Sequence, residues 1–175
     1  MTEKRQLLVL VAIALLAGAG GYLAYRNTVA VPDGAGVSAG KVPEFVLPDL
    51  TGSDRQGSEW SGRARLLNFW ATWCPPCRRE IPLLIDLQAE YGSRLAVIGI
   101  AIDDMEAVRE YAVENQFNYP VLVGQQNAVE LGNRVLADWI GLPFTAFVNA
   151  SGDIVRVHVG ELHRDQAETY LAEIL

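Results

Sequence analysis

The sequence predicts a three-layer α/β/α domain on a mixed sheet, carried behind an apolar N-terminal segment. Three observations lead there. From residue 65 to the C-terminus short apolar runs alternate with amphipathic stretches, the pattern of a largely parallel sheet covered by helices on both faces. The last two apolar runs are joined by Ser151-Gly152-Asp153, a turn composition, so they pair as an antiparallel hairpin at one edge. The 175 residues, 50% hydrophobic and 20% charged, amount to one ordinary domain plus extras, with enough apolar surface to bury a core.

The first element is residues 7–25, LLVLVAIALLAGAGGYLAY, nineteen residues without a charge, bracketed by Lys4 and Arg5 before and Arg26 after. At about 1.5 Å rise per residue they reach roughly 28 Å, close to the ~30 Å hydrocarbon core of a bilayer. That length fits an uncleaved transmembrane anchor better than a cleaved signal peptide, whose apolar region is typically ~7 to 15 residues ahead of a small-residue site such as Thr28-Val29-Ala30. Two basic residues before the span and one close behind it keep residues 1–6 in the cytoplasm. A single-pass protein of the cell inner membrane is expected, with the rest of the chain extracytoplasmic, in a bacterium periplasmic. Setting aside Glu3, Lys4, Arg5 and Arg26 leaves eleven basic and twenty acidic residues outside, a charge of −9 that gives no reason to lie flat on an anionic leaflet.

Residues 26–43 read as a flexible linker, rich in Gly, Ala, Val and Pro and without a sustained period. Its last seventeen residues have a root-mean-square span of roughly 20 to 25 Å. The domain proper is residues 44–175. Its elements are expected in this order: strand 65–70 (RLLNFW), helix 75–91, strand 95–101 (LAVIGIA), helix 104–115, strand 120–123 (PVLV), helix 127–136, strand 144–149 (FTAFVN), strand 154–159 (IVRVHV) and helix 163–175.

Composition excludes several functions. Fourteen basic against twenty-one acidic residues give −7, the wrong sign for a surface that neutralises phosphates, so no nucleic acid is a partner. Two cysteines allow one internal disulfide at most, which rules out both a cysteine-stapled scaffold and a four-cysteine zinc site.

Both cysteines fall in Trp73-Cys74-Pro75-Pro76-Cys77, after a buried-strand pattern and at the start of a helix. A helix start presents unpaired N–H groups and the positive end of the macrodipole, and both stabilise a thiolate. Cys74 is therefore expected to be the nucleophile. One turn later Cys77 faces inward, placed to resolve a mixed disulfide by attacking the Cys74 sulfur. A metal site would need two more strong ligands, yet the only histidines, His158 and His163, belong to different elements near the far end of the chain. Haem attachment needs His after the second Cys, and Arg78 stands there. A structural disulfide would close a loop too small to restrict the unfolded chain much. Thiol–disulfide exchange between two sulfurs needs no cofactor.

The stretch NFWATWCPPCRREIP, with the later GLPFTAFVN and the closing IVRVHVG, resembles the thioredoxin superfamily, and within it the membrane-anchored TlpA/ResA-like thiol-disulfide oxidoreductases. The resemblance covers about residues 43–175. It implies a thioredoxin fold with a strand and a helix inserted between the active-site βαβ unit and the C-terminal hairpin, for which residues 95–136 have room. It implies that Pro143 is the family's cis-proline, beside the redox-active pair Cys74 and Cys77, with the Leu142 backbone offered to an extended partner chain. By spacing alone an ordinary trans proline opening a strand fits equally well. Phe144 departs from the small or polar residue that commonly follows that proline, which leaves open the shape of a partner groove around Leu142 and Phe144.

Glu80, three residues after Cys77, resembles the acid such proteins keep near the pair, and there it would accept the proton of Cys77. On the residues alone a solvated glutamate in an early helical turn fits as well. Thioredoxin's own buried acid lies one strand earlier, where this chain has Asn68. Trp73 reads as an exposed partner contact and Trp70 as core. Pro82 would kink the helix by removing the bond to the Arg78 carbonyl. Arg78 and Arg79 are given no role.

Pro75 and Pro76 supply neither N–H donors nor a cation to hold a Cys74 thiolate, and strong oxidants of the superfamily depend on stabilising that thiolate. A reductant is expected, acting on disulfides of exported proteins, for example during cytochrome c or copper-site maturation. The family supplies electrons to such a reductant through a membrane thiol donor of the CcdA/DsbD type. The alternative is a copper-binding chaperone holding the metal on the two thiolates, against which stands the shortage of well-placed His and Met ligands. A peroxidase fits less well, since the paired motif resembles an electron carrier more than a peroxidatic cysteine site.

Overall fold

Residues 40–175 are those described by the computed structural model, so the expected cytoplasmic residues 1–6, the anchor 7–25 and most of the linker lie outside them. No helix among the described residues is long and apolar enough to cross a membrane. In chain order the elements are β1 (Val46–Pro48), β2 (Asp54–Gln56), a 3₁₀ turn (Gly57–Trp60), β3 (Ala64–Trp70), α1 (Pro75–Tyr91), β4 (Leu95–Ile102), α2 (Met105–Glu114), β5 (Val121–Gly124), α3 (Gln126–Val135), β6 (Phe144–Val148), β7 (Ile154–Val159) and α4 (Arg164–Leu171).

The central sheet has the order β5-β4-β3-β6-β7. Strand β4 runs parallel to both β3 and β5, whereas β6 is antiparallel to β3 and β7. This is the mixed sheet expected, with β6–β7 as the hairpin at one edge. Its turn is held by Gly152, whose φ of +87° a side chain would strain, and by the Asp153 amide donating to Asn149 Oδ1 at 2.9 Å. The insertion between the first βαβ unit and the hairpin holds β5 together with two helices, α2 and α3.

All seven β3 residues are buried, so alternation along the strand divides two cores rather than core from solvent. Leu66 and Trp70 point to the face packed by Ile81, Leu84 and Leu87 of α1, Val108 of α2 and Ala167 and Leu171 of α4. Leu67 and Phe69 point to the other face, packed by Ala128, Leu131 and Val135 of α3 together with Phe45, Leu47 and Trp60. Each fully buried Leu or Phe contributes about 1.5 to 3 kcal/mol relative to exposure.

The sequence reading omitted the β1–β2 hairpin and the 3₁₀ turn. Three-residue strands are too short to show alternation, and this hairpin is tied to a distant partner, Asp49 bridging Leu122 of β5, while the chain ahead of it is tied by the Lys41–Asp153 bridge. The last helix stops at Leu171 instead of 175, because the chain tightens to i→i+3 bonds, Glu173 N–H to Tyr170 O and Ile174 N–H to Leu171 O, each 3.1 Å. Helix α1 continues through Pro82 to Tyr91.

Candidate active site

Four residues, 71–74, join β3 to helix α1, and this connection carries the chemistry. Cys74 is its N-cap, in extended conformation, with Pro75 and Pro76 in the first helical positions, where a missing N–H costs no hydrogen bond. The two prolines leave the Cys77 amide to point back, and it donates to Cys74 Sγ at 3.3 Å. The two sulfurs are joined in a disulfide, with Cα atoms 5.3 Å apart. Cys77 has no exposed surface and Cys74 retains 3%, while Trp73 beside them is 67% exposed. Trp70 is completely buried in the core.

Asp103, at the end of β4, anchors this connection: its Oδ2 accepts from the Thr72 amide at 2.8 Å and from the Thr72 hydroxyl at 2.6 Å. The next residue, Asp104, caps α2. Sequence reasoning missed Asp103. The available signal was an acidic pair at the C-terminal end of a parallel strand, where open α/β sheets gather their sites.

Glu80 is 1% exposed, one turn along α1 from Cys77. Its Oε1 accepts from Asn68 Nδ2 at 2.7 Å, and its Oε2 accepts from the Leu162 amide at 2.8 Å. Burial pushes its carboxyl up to about 7, and the two hydrogen bonds oppose part of that rise. A solvated glutamate is thereby excluded. Asn68 also donates to Thr145 Oγ1 at 2.9 Å, while its Oδ1 has no partner. In register Gly99, Asn68, Thr145 and His158 form a row across β4, β3, β6 and β7. The space at Gly99 is tight, since a Cβ would stand 3.0 Å from Trp70 Nε1 and 3.3 Å from Tyr119 Cε2, and those rings would have to give way to it. The Tyr119 phenol is pushed well above its ordinary value by burial and then by the charge of Glu80.

The loop that supplies the Leu162 amide is pinned twice. Arg79 Nε donates to Glu161 Oε2 at 2.7 Å, and His158 Nε2 lies 3.1 Å from Glu161 O. His163 stands at the N-cap of α4. Among the described residues no three of His, Cys, Asp and Glu gather as a metal-binding group.

The Leu142–Pro143 peptide bond is cis. Phe69 faces Phe144 in the β3–β6 register, which carries Pro143 to the level of Trp70, and Leu142 packs against the cluster that contains both cysteines. Phe144 corrects the expectation of a groove shaped by Leu142 and Phe144. It is fully buried on the opposite face of the sheet, stacked on Phe69 with centroids 4.3 Å apart. Alternation accounts for this: Thr145 reaches Asn68 beneath α1, so its neighbour Phe144 must point the other way.

A helix-capping disulfide over a buried acid, on a mixed five-stranded sheet with four α-helices among the described residues, defines a thiol-disulfide oxidoreductase of thioredoxin-like fold. Residues 39–157 match the AhpC/TSA family, and the chain belongs to that family. It is 30% identical over 179 residues to the thiol-disulfide oxidoreductase ResA of a Bacillus cereus strain, covering 99% of each chain. It is 32% identical over 143 residues to the thioredoxin-like protein YneN of Bacillus subtilis (strain 168), covering 78% of this chain and 80% of that one. Among solved structures, a thioredoxin-family thiol:disulfide interchange protein from Chlorobium tepidum TLS superposes with a TM-score of 0.71 at 26% identity, covering 80% of this chain and 99% of its own.

Proposed function

We propose that this protein is a membrane-anchored reductase of disulfides in exported proteins, with Cys74 as nucleophile, Cys77 as resolving thiol and Glu80 as proton acceptor. In the reduced enzyme the Cys74 thiolate attacks one sulfur of a substrate disulfide, forming a mixed disulfide and releasing the other sulfur as a thiolate. Cys77 then gives its proton to Glu80 and attacks Cys74 Sγ. The second substrate thiolate leaves, two electrons have passed to the substrate, and the enzyme ends as the Cys74–Cys77 disulfide. Trp73 and the backbone of half-buried Leu142 form the contact surface for the extended substrate chain, with Pro143 buried behind it.

The observation that carries the reading is the asymmetry of the pair. Only Cys74 keeps exposed surface, whereas Cys77 is sealed one turn ahead of a carboxyl group held near pH 7. An acid at that value is matched to taking a proton at ambient pH. The reducing direction is supported by the Cys77 amide, the one donor to Cys74 Sγ among the described residues, which leaves the thiolate modestly stabilised. The apolar residues 7–25 support the anchor and the extracytoplasmic placement. Electrons would return through a membrane thiol donor of the CcdA/DsbD type, and cytochrome c or copper-site maturation is the client class proposed.

The test is trapping. Cys77→Ser should accumulate mixed disulfides at Cys74 that mass spectrometry resolves to exported proteins. Trapping by Cys74→Ser alone would reverse the roles, and a couple less reducing than about −220 mV, the upper end of the glutathione poise, would reverse the direction.

A further inference from the structure

Arg65 sits near the start of β3, between Ala96 of β4 and Val148 of β6, at the end of the sheet away from the disulfide. Five strand positions separate it from Trp70, roughly 17 Å at about 3.3 Å per residue. It is 5% exposed, and its Nε has no hydrogen-bond partner. A buried guanidinium stays charged, and leaving it unpaired is strongly unfavourable. Its end lies under the β6–β7 turn, where a Cβ on Gly152 would stand 3.2 Å from Nη2.

Arg65 borders a cleft of about 410 Å³ that is also lined by Lys41, Glu44, Ser58, Ser61 and Ser151. The other cation there is already matched, with Lys41 Nζ 2.8 Å from Asp153 Oδ1 and donating to Ser151 O at 2.9 Å. Glu44 is exposed and acts on Arg65 through its charge. The cleft thus presents a forked donor whose buried Nε has no acceptor, rimmed by Ser58 and Ser61, in a volume typical of small-molecule sites.

We propose that this cleft is a binding site for a small oxyanion-bearing solute, with a phosphate or carboxylate group received by the Arg65 guanidinium and the Ser58 and Ser61 hydroxyls at its rim. The site is separate from the redox pair and does not depend on its mechanism. The full chain in detergent micelles should be titrated with inorganic phosphate and, in a second arm, with acetate, each against chloride at matched ionic strength. Amide shifts and the thermal midpoint are the readouts. The expected result is saturable shifts confined to the residues around Gly57, Ser61 and Gly152, with a rise in midpoint. Saturation by phosphate alone assigns a phosphorylated solute, and saturation by acetate as well assigns a carboxylate. Glu44→Gln should tighten binding several-fold, and Arg65→Met should abolish it. Should Arg65→Met fail to fold, Ser58→Glu on the exposed rim offers an internal carboxylate and should block binding instead. Non-saturating shifts, or a midpoint rise equal in wild type and both blocking variants, would show only phosphate's general salting effect and would overturn the proposal.

Discussion

Strand β3 meets a buried charge-bearing side chain near each end, and the two are accommodated in opposite ways. Near its C-terminal end Asn68 and the Leu162 amide occupy both oxygens of Glu80. Near its N-terminal end Arg65 is almost as buried, and its Nε has no acceptor. The contrast separates two uses of a buried charge. Glu80 is enclosed on every side, so its environment settles where its proton sits, as a proton acceptor requires. Arg65 cannot shed its proton and opens onto a cleft, where an added anion would complete the pairing that the charge of Glu44 only begins.

The largest expected effect breaks the first half of that contrast. Glu80 titrates near 4.5 when unfolded and at about 7 in the fold. Between those values the native state binds more protons than the unfolded state, so stability falls as pH rises, by about 3 kcal/mol across the window. Below pH 4.5 the penalty is absent, and above 7 it is complete. In Glu80→Gln that decline should vanish, because an amide does not titrate, and Asn68 can turn its unpaired Oδ1 toward the new amide. Denaturant unfolding of the oxidised protein at pH 4.5 and 8 measures the difference. Equal changes in variant and wild type would mean that Glu80 keeps its ordinary carboxylate range in the fold.

Asn68→Ala comes next. It removes a donor to Glu80 and to Thr145, and the expected loss is about 2 kcal/mol. The loss should be greater at pH 8 than at pH 5, because the donor matters most to the carboxylate. A pH-independent loss would reduce Asn68 to packing.

How much of this was legible in the sequence follows from chain separation. Cys74, Cys77 and Glu80 lie within seven residues of one helix start, so spacing alone put them on one face. Asn68 was legible as the place where thioredoxin keeps an acid, though its hydrogen bond to Glu80 was not. Thr145 and the Leu162 amide reach the site from 77 and 82 residues away, through the sheet register and a loop pinned by Arg79 and Glu161. No local pattern encodes that. Phe144 was misplaced although alternation with Thr145 would have turned it away. Arg65 entered only as the first residue of the expected strand, because nothing in RLLNFW reveals that residues 41–44, Ser58 and Ser61 gather around it.

Arg65→Met sharpens the second half of the contrast. Replacing an unpaired buried cation by an apolar side chain of similar length should leave stability unchanged or raise it by about 1 kcal/mol in phosphate-free buffer. Thermal unfolding at low ionic strength checks this. A loss above about 2 kcal/mol would mean that the guanidinium is already satisfied within the fold.

The smallest effect concerns Asp103, which ties the Thr72 amide and hydroxyl to the end of β4. These bonds lie at a partly exposed edge, where water replaces a lost acceptor. Asp103→Ala should therefore cost only about 0.5 to 1 kcal/mol of global stability. Its local effect is expected to be larger in proportion. Thr72 and Trp73 precede the nucleophile, and with their tether gone the Thr72 amide should exchange with solvent several-fold faster while amides in β3 keep their protection. Trapping by Cys77→Ser should slow in the same background, since Trp73 would no longer be held beside Cys74. Unchanged exchange at Thr72 would show that the helix start is rigid without Asp103, leaving the positioning of Cys74 to the disulfide loop and the N-terminal turn of α1.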